Sequence, residues 1–136
     1  MSDYSRHLSV YLHLARASER RRRPLVKDRM FVLAGIQAAE RNYFQLSQYC
    51  RSEILQSNPR HLIGRWPSIG AALLDGDFTT FAARLQSRFP LERAESMLVS
   101  LGIEFANEHE VYYDELEYAA SILGIEPASI SDASGT

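Results

Sequence analysis

The chain has 136 residues, a formal net charge of −2 and a composition that is 46% hydrophobic and 24% charged. That length fits one domain able to bury a core without cross-links, and a single cysteine, Cys50, excludes an intramolecular disulfide. No apolar run reaches the roughly 18 residues of a membrane helix, and the N-terminal MSDYSRHLSVYLHLA lacks an apolar signal core, so a cytoplasmic protein with no membrane association is expected.

Nearly every segment carries the helical period, and none carries the strict alternation of a strand. The expected fold class is all-α: a six to seven helix antiparallel bundle, one domain over residues 1–125, with a flexible polar tail over 126–136. Leu8, Tyr11, Leu12 and Ala15 make one apolar stripe of a first helix. That helix ends at ERRRRP, where cations complement the negative end of the helix dipole and Pro24 suits the first turn of a second helix. The second helix, from about Leu25 to Glu40, has Met30, Phe31, Leu33, Ala34, Ile36 and Ala38 on more than one face, which predicts a central position. Asn42 reads as a break before a third helix from Tyr43 to about Gln56. Phe44, Ser47, Ile54 and Leu55 are its expected inward residues, and Ser57 to Pro59 its stop.

Beyond a loop, Pro67 lies near a helix start, Gly76 reads as just past a helix end, and Asp77 as the N-cap of the next helix. Phe78, Phe81, Ala82, Leu85 and Phe89 are its stripe. Pro90 opens a further helix with Glu92 and Glu95 in its early turns. Its end at Gly102-Ile103, and a later end at Gly124-Ile125, fit a left-handed C′ glycine followed by an apolar C″ residue, the Schellman pattern. The last helix is expected to start near Asn107, with Glu108 and Glu110 in its first turn.

The small net charge hides a split. Residues 1–65 hold twelve Arg or Lys against five Asp or Glu (+7), and residues 66–136 hold three against twelve (−9). Such a split can steer a charged partner, pair internally, or join copies as a homo-oligomer. The densest feature is RRRRPLVKDR, residues 20–29. Arg20, Arg21, Arg22, Arg23 and Lys27 are candidate partner-binding residues, because guanidinium groups grip carboxylate or phosphate in pairs of hydrogen bonds. On the acidic side, Tyr113, Asp114 and Glu117 are the matching candidates, since tyrosines among acids make a face for a basic peptide.

No spacing among His7, His13, His61 and His109 matches a metal motif, so neither metal nor cofactor is expected. Cys50 reads as a buried structural residue. No nucleophile elbow, phosphate loop or dinucleotide fingerprint occurs, and a non-enzyme is expected. A would-be DNA-reading helix after Leu101-Gly102-Ile103 carries Glu108, Glu110, Asp114, Glu115 and Glu117, the wrong sign for a groove.

One stretch bears repeat-like marks: FVLAGIQAAERNYFQLSQYCRSEILQSNP, residues 31–59. With Phe31 in the first aromatic place, Ala34-Gly35, Phe44, Ser47 and Pro59 follow at set positions. Trp66, Ile69 and Gly70 repeat the spacing of Phe31, Ala34 and Gly35, 35 residues on, and LLDGDF then resembles a helix–turn–helix corner. In degenerate form, residues 31–90 resemble tandem tetratricopeptide units of about 34 residues. Ala38, Arg51 and Phe81 depart from that pattern, and Pro67 should shorten the first helix of the second unit. The resemblance implies a TPR-like scaffold that binds a protein or peptide segment. The expected function is a non-catalytic interaction or adaptor module, binding such a segment or self-associating through its opposite charges. The alternatives are a nucleic-acid-binding protein using Arg20 to Arg29, or a small helical enzyme built from residues distant in sequence.

Overall fold

Two long helices joined by three residues organise the chain in the computed structural model, which describes residues 3–104 and 114–132. They are α1 (Asp3–Arg20) and α2 (Pro24–Glu40). After them come α3 (Phe44–Ser57), a 3-10 turn (Leu62–Arg65), α4 (Ile69–Ala72), α5 (Gly76–Arg88), α6 (Leu91–Ser100), α7 (Glu115–Leu123) and a second 3-10 turn (Pro127–Ile130). The described residues contain no strand, and the all-α bundle expected from the periodicity is what forms.

The centre is α2. Every residue from Met30 to Ala39 is buried, which a helix achieves only when neighbours cover it on several sides. It packs along α1 and α3 and also meets α4 and α5, while α1 carries α6 and α7 on its remaining face. The α1 stripe is buried as expected at Leu8, Tyr11, Leu12 and Ala15. The Tyr11 hydroxyl donates to the Phe89 carbonyl at 2.6 Å, which ties α1 to the end of α5. Burial holds that hydroxyl's pKa up at about 12, so it remains a donor.

Four helix ends use one device. At Gly102-Ile103 and Gly124-Ile125 the glycine has φ 72°, and the isoleucine N–H reaches back to Leu98 or Ala120. This is the Schellman geometry read from the sequence. The ends of α1 and α2 reproduce it without glycine. Arg22 (φ 59°) and Asn42 (φ 65°) take the left-handed position, and the N–H groups of Arg23 and Tyr43 bond the carbonyls of Ser18 and Ala38.

Several local expectations are corrected. Gly76 does not follow a helix end but opens α5, and Asp75 rather than Asp77 is its N-cap, accepting from the Asp77 N–H at 2.8 Å. Phe44 is 57% exposed. The inward stripe of α3 is Leu46, Ser47, Cys50 and Ile54, and Phe44 stands two residues before Leu46, on the opposite side. The tail is folded through Asp132. Ile130 is fully buried, and the Asp132 carboxylate accepts from the Gln45 N–H at 3.1 Å, capping α3 from a distant part of the chain. The expected helix start at Asn107 and residues 133–136 lie outside the described residues; α7 begins at Glu115 with Asp114 as its N-cap.

The two repeat-like windows differ in geometry. Gly35 stands where α2, α3 and α4 meet: a Cβ there would lie 2.3 Å from Ile69 Cδ1 and 3.3 Å from Cys50 Cβ. The Ser47 hydroxyl donates to the Gly35 carbonyl at 2.9 Å across the same crossing. Gly70 is not at a crossing, since a Cβ there meets only Ser68 Oγ at 3.8 Å. Its helix, α4, is a single turn behind Pro67. Arg51 does not fill an apolar place but donates to the Trp66 carbonyl at 2.8 Å, holding the loop between the windows. Gly35→Ala should therefore lower stability by about 1 kcal/mol or more, overpacking outweighing the helix preference for alanine. Ile69→Val in that background should restore part of the loss. Gly70→Ala should be neutral or stabilising. Urea denaturation of the four proteins checks this, and equal losses at Gly35 and Gly70 would contradict it.

Candidate functional site

Charged side chains inside the bundle separate into groups the fold uses and groups it leaves facing solvent. Foremost among the used ones is Arg16. Its guanidinium donates to the Glu53 carboxylate at 2.7 Å, to Glu19 at 2.8 Å, to the Tyr49 hydroxyl, and to the Leu123 carbonyl at 3.1 Å. It also lies 5.7 Å over the Phe31 ring. One residue of α1 thus ties α3 and the end of α7 while covering α2. Burial opposes its charge, but the Glu53 carboxylate with Tyr49 and Glu19 overcomes this, and the net shift of its pKa is upward.

A second buried group joins α2 to α3. Lys27 Nζ donates to the Ser57 hydroxyl at 2.6 Å and to the Glu53 carbonyl at 3.1 Å, and lies 3.3 Å from the Asp28 carboxylate. The Ser57 hydroxyl in turn donates to Asp28 at 3.1 Å. Lys27 is 5% exposed, which corrects its assignment to a partner-binding surface: it is an internal clamp. The ion pairs also show where part of the charge split goes. Arg6–Glu95, Arg41–Glu115 and Arg65–Asp77 each join the basic half of the chain to the acidic half.

Arg20, Arg21, Arg22 and Arg23 are different. All four are exposed, and among the described residues none of their side chains makes a hydrogen bond or an ion pair. They cluster because the reversal from α1 to α2 takes only Arg21, Arg22 and Arg23. Two of them, Arg21 and Arg23, line a groove of about 350 Å³ between this corner and α6. The buried or half-buried Leu14, Val26, Met97 and Leu101 supply its apolar floor. Arg93, Ser96 and Ser100 face it from α6, and Ser18 from α1. No carboxylate lines it.

Helical spacing on α6 explains this sorting. Arg93, Ser96, Met97 and Ser100 recur at i, i+3, i+4 and i+7, one face of the helix. Glu92, Glu95 and Val99 turn to an adjoining shallow hollow with Arg6, which Ser96 and Ser100 also line and where Glu95 pairs with Arg6. Arg93 is held in place: it donates to the Arg88 carbonyl at 2.8 Å and lies 5.1 Å over the Phe89 ring. The groove also meets the start of α2, where Arg23 is the N-cap and no side chain caps the helix. The positive end of that helix dipole adds to the field of the three guanidinium groups.

The Asp114 carboxylate accepts from the Glu117 N–H at 2.8 Å as the cap of α7, and Tyr113 lies outside the described residues. Among the histidines, His13 Nε2 is 2.9 Å from the Tyr118 hydroxyl. Burial, helped by the Arg20 charge, pushes its pKa down to about 4, so it is neutral near pH 7. His61 Nδ1 accepts from the Ile63 N–H at 3.0 Å, capping the first 3-10 turn, and burial lowers its pKa. Cys50 is fully buried, which pushes its thiol well above the ordinary range. No group of three or more metal-ligand side chains converges among the described residues.

Sequence reading missed Arg93, Ser18, Ser96 and Ser100, because their meeting with the arginine tract depends on how α6 docks against α1. It also missed Arg16, although a signal was present: Arg16 is four residues after Leu12 and eight after Leu8, on the apolar stripe. A charge in that register needs an internal partner.

The left-handed Arg22 generates a prediction. A non-glycine residue there costs about 1–2 kcal/mol, and no side-chain contact of Arg22 offsets it. Arg22→Gly should raise stability by about 1 kcal/mol in urea denaturation; a decrease would mean that the arginine side chain supports the corner.

The chain matches no protein-family model, and no curated protein or solved structure shows significant similarity to it.

Proposed function

We propose that the protein is a non-catalytic interaction module that binds an acidic segment of a partner protein in the groove between the α1–α2 corner and α6. The observation that carries the reading is the groove itself. Arg21, Arg23 and Arg93 surround an apolar floor, without a carboxylate among them. Arg16 and Lys27, by contrast, are matched inside the fold by Glu53 and Asp28. A concave, partly apolar site of this volume holds a few side chains, and guanidinium groups offer charge-assisted hydrogen bonds to any carboxylate placed there. The TPR-like resemblance supports the same class of function through α2–α3 alone, where Gly35, Ser47 and Cys50 pack at the helix crossing.

Self-association is the second reading, favoured by the acidic surplus of residues 66–136. The basic groove of one copy would then take an acidic surface of another. A nucleic acid fits less well, because Glu92 and Glu95 line a hollow that adjoins the groove across Ser96 and Ser100 and would repel a continuing phosphate chain.

Fluorescence anisotropy with labelled peptides of mixed Glu and Leu tests the proposal. Binding should weaken several-fold between about 0.05 and 0.3 M salt, as exposed charges are screened. It should be lost in Arg21→Glu/Arg23→Glu, whereas Arg84→Glu, a reversal of the same sign outside the groove, should bind as the parent does. Equal weakening by both variants would reduce the effect to net charge and contradict a site. Sedimentation of the protein alone separates the second reading, which requires the mass to fall on raising salt.

A further inference from the structure

We infer that the groove's preferred occupant is a phosphorylated serine or threonine side chain of a partner protein, seated among Arg21, Arg23 and Arg93. This rests on the reading of the groove as a partner-binding site and names the chemistry of its ligand. Three arginines line one cavity of about 350 Å³, and no carboxylate lines it. A single carboxylate brings one negative charge and would leave most of that positive charge unmatched. A phosphate monoester brings about −1.5 to −2 and three terminal oxygens, each able to take charge-assisted hydrogen bonds from an arginine fork.

The rest of the lining agrees with this choice. The Ser96 and Ser100 hydroxyls on α6 are further donors, set on the same helical face as Arg93. Arg93 is already oriented by the Arg88 carbonyl and the Phe89 ring, so less side-chain freedom is lost on binding. The apolar floor fits a peptide, whose residue next to the phosphate can lie on Met97, better than a free phosphate ion, which would leave that floor unused. A macromolecular phosphate chain is disfavoured by Glu92 and Glu95 in the hollow that adjoins the groove.

The test uses the full chain, immobilised, and three degenerate nonapeptide libraries that differ only in the central residue: phosphoserine, glutamate or serine. The flanking positions exclude charged residues. At physiological ionic strength the phosphoserine library should be retained about tenfold more than the glutamate library, one strong charge-assisted contact being worth about that much. Inorganic phosphate should compete. Arg21→Gln/Arg23→Gln, at exposed positions, should abolish the preference while keeping the parent's urea midpoint; Arg93→Gln should abolish it with a small loss of stability from its Arg88 and Phe89 contacts, and Arg60→Gln should leave the preference intact. Equal retention of the phosphoserine and glutamate libraries would overturn the inference and leave the acidic-segment reading standing. Retention of neither would overturn both. A preference that survives the groove variants would place the phosphate elsewhere, and binding only to vesicles containing phosphoinositide would replace the peptide by a lipid headgroup.

Discussion

The structure depends first on one half-buried cation. Arg16 stands in the apolar stripe of α1, and its guanidinium is met by Glu53 and Tyr49 of α3, Glu19 of its own helix and the carbonyl that ends α7. Its plane also covers Phe31 of α2. A charge removed from water is costly unless its donors are satisfied, and here four different partners satisfy them. The requirement also fixes arrangement. The register of α3 against α1, and the position where α7 stops, must bring those acceptors together. Lys27 repeats the logic on a smaller scale between α2 and α3, with Ser57 linking it to Asp28.

Once those cations are matched internally, the arginines of the α1–α2 corner stand apart. The chain turns there in three residues, and a left-handed Arg22 closes the end of α1 where glycine would serve at lower conformational cost. The corner therefore combines backbone strain with a row of exposed, unmatched charges. Opposite it, α6 presents Arg93 to the groove and Glu92 and Glu95 to the adjoining hollow. The groove is thus a consequence of helical periodicity on α6 combined with a tight reversal before α2.

Much of this was legible in the sequence, for reasons that can be stated residue by residue. The buried length of α2 followed from apolar residues on more than one face, and the ends at Gly102 and Gly124 from the rule that glycine accepts positive φ. Less legible were features that depend on distant parts of the chain. Ile130 and Asp132 look like a polar tail until α3 offers them an apolar neighbour and an uncapped N-terminus. Lys27 belongs by sequence to a basic tract, yet it sits on the inner face of α2, while Arg21 and Arg23 in the preceding turn face out. Half of the groove comes from α6, some seventy residues beyond the tract. No local pattern signals that meeting, whereas the tract itself was visible as four consecutive arginines.

The central claim is that Arg16 and Lys27 hold the fold together, whereas Arg21 and Arg23 do not and are proposed to meet a partner. Urea denaturation of Arg16→Met beside Arg21→Met/Arg23→Met tests it most directly. Removing Arg16 leaves the half-buried Glu53 without its cation and the Leu123 carbonyl and Tyr49 hydroxyl without their partner, and stability should fall by about 2 kcal/mol or more. The double groove variant, which removes two exposed and unmatched charges, should stay within about 0.5 kcal/mol of the parent. A groove variant as destabilised as Arg16→Met, or an Arg16→Met protein as stable as the parent, would contradict the division.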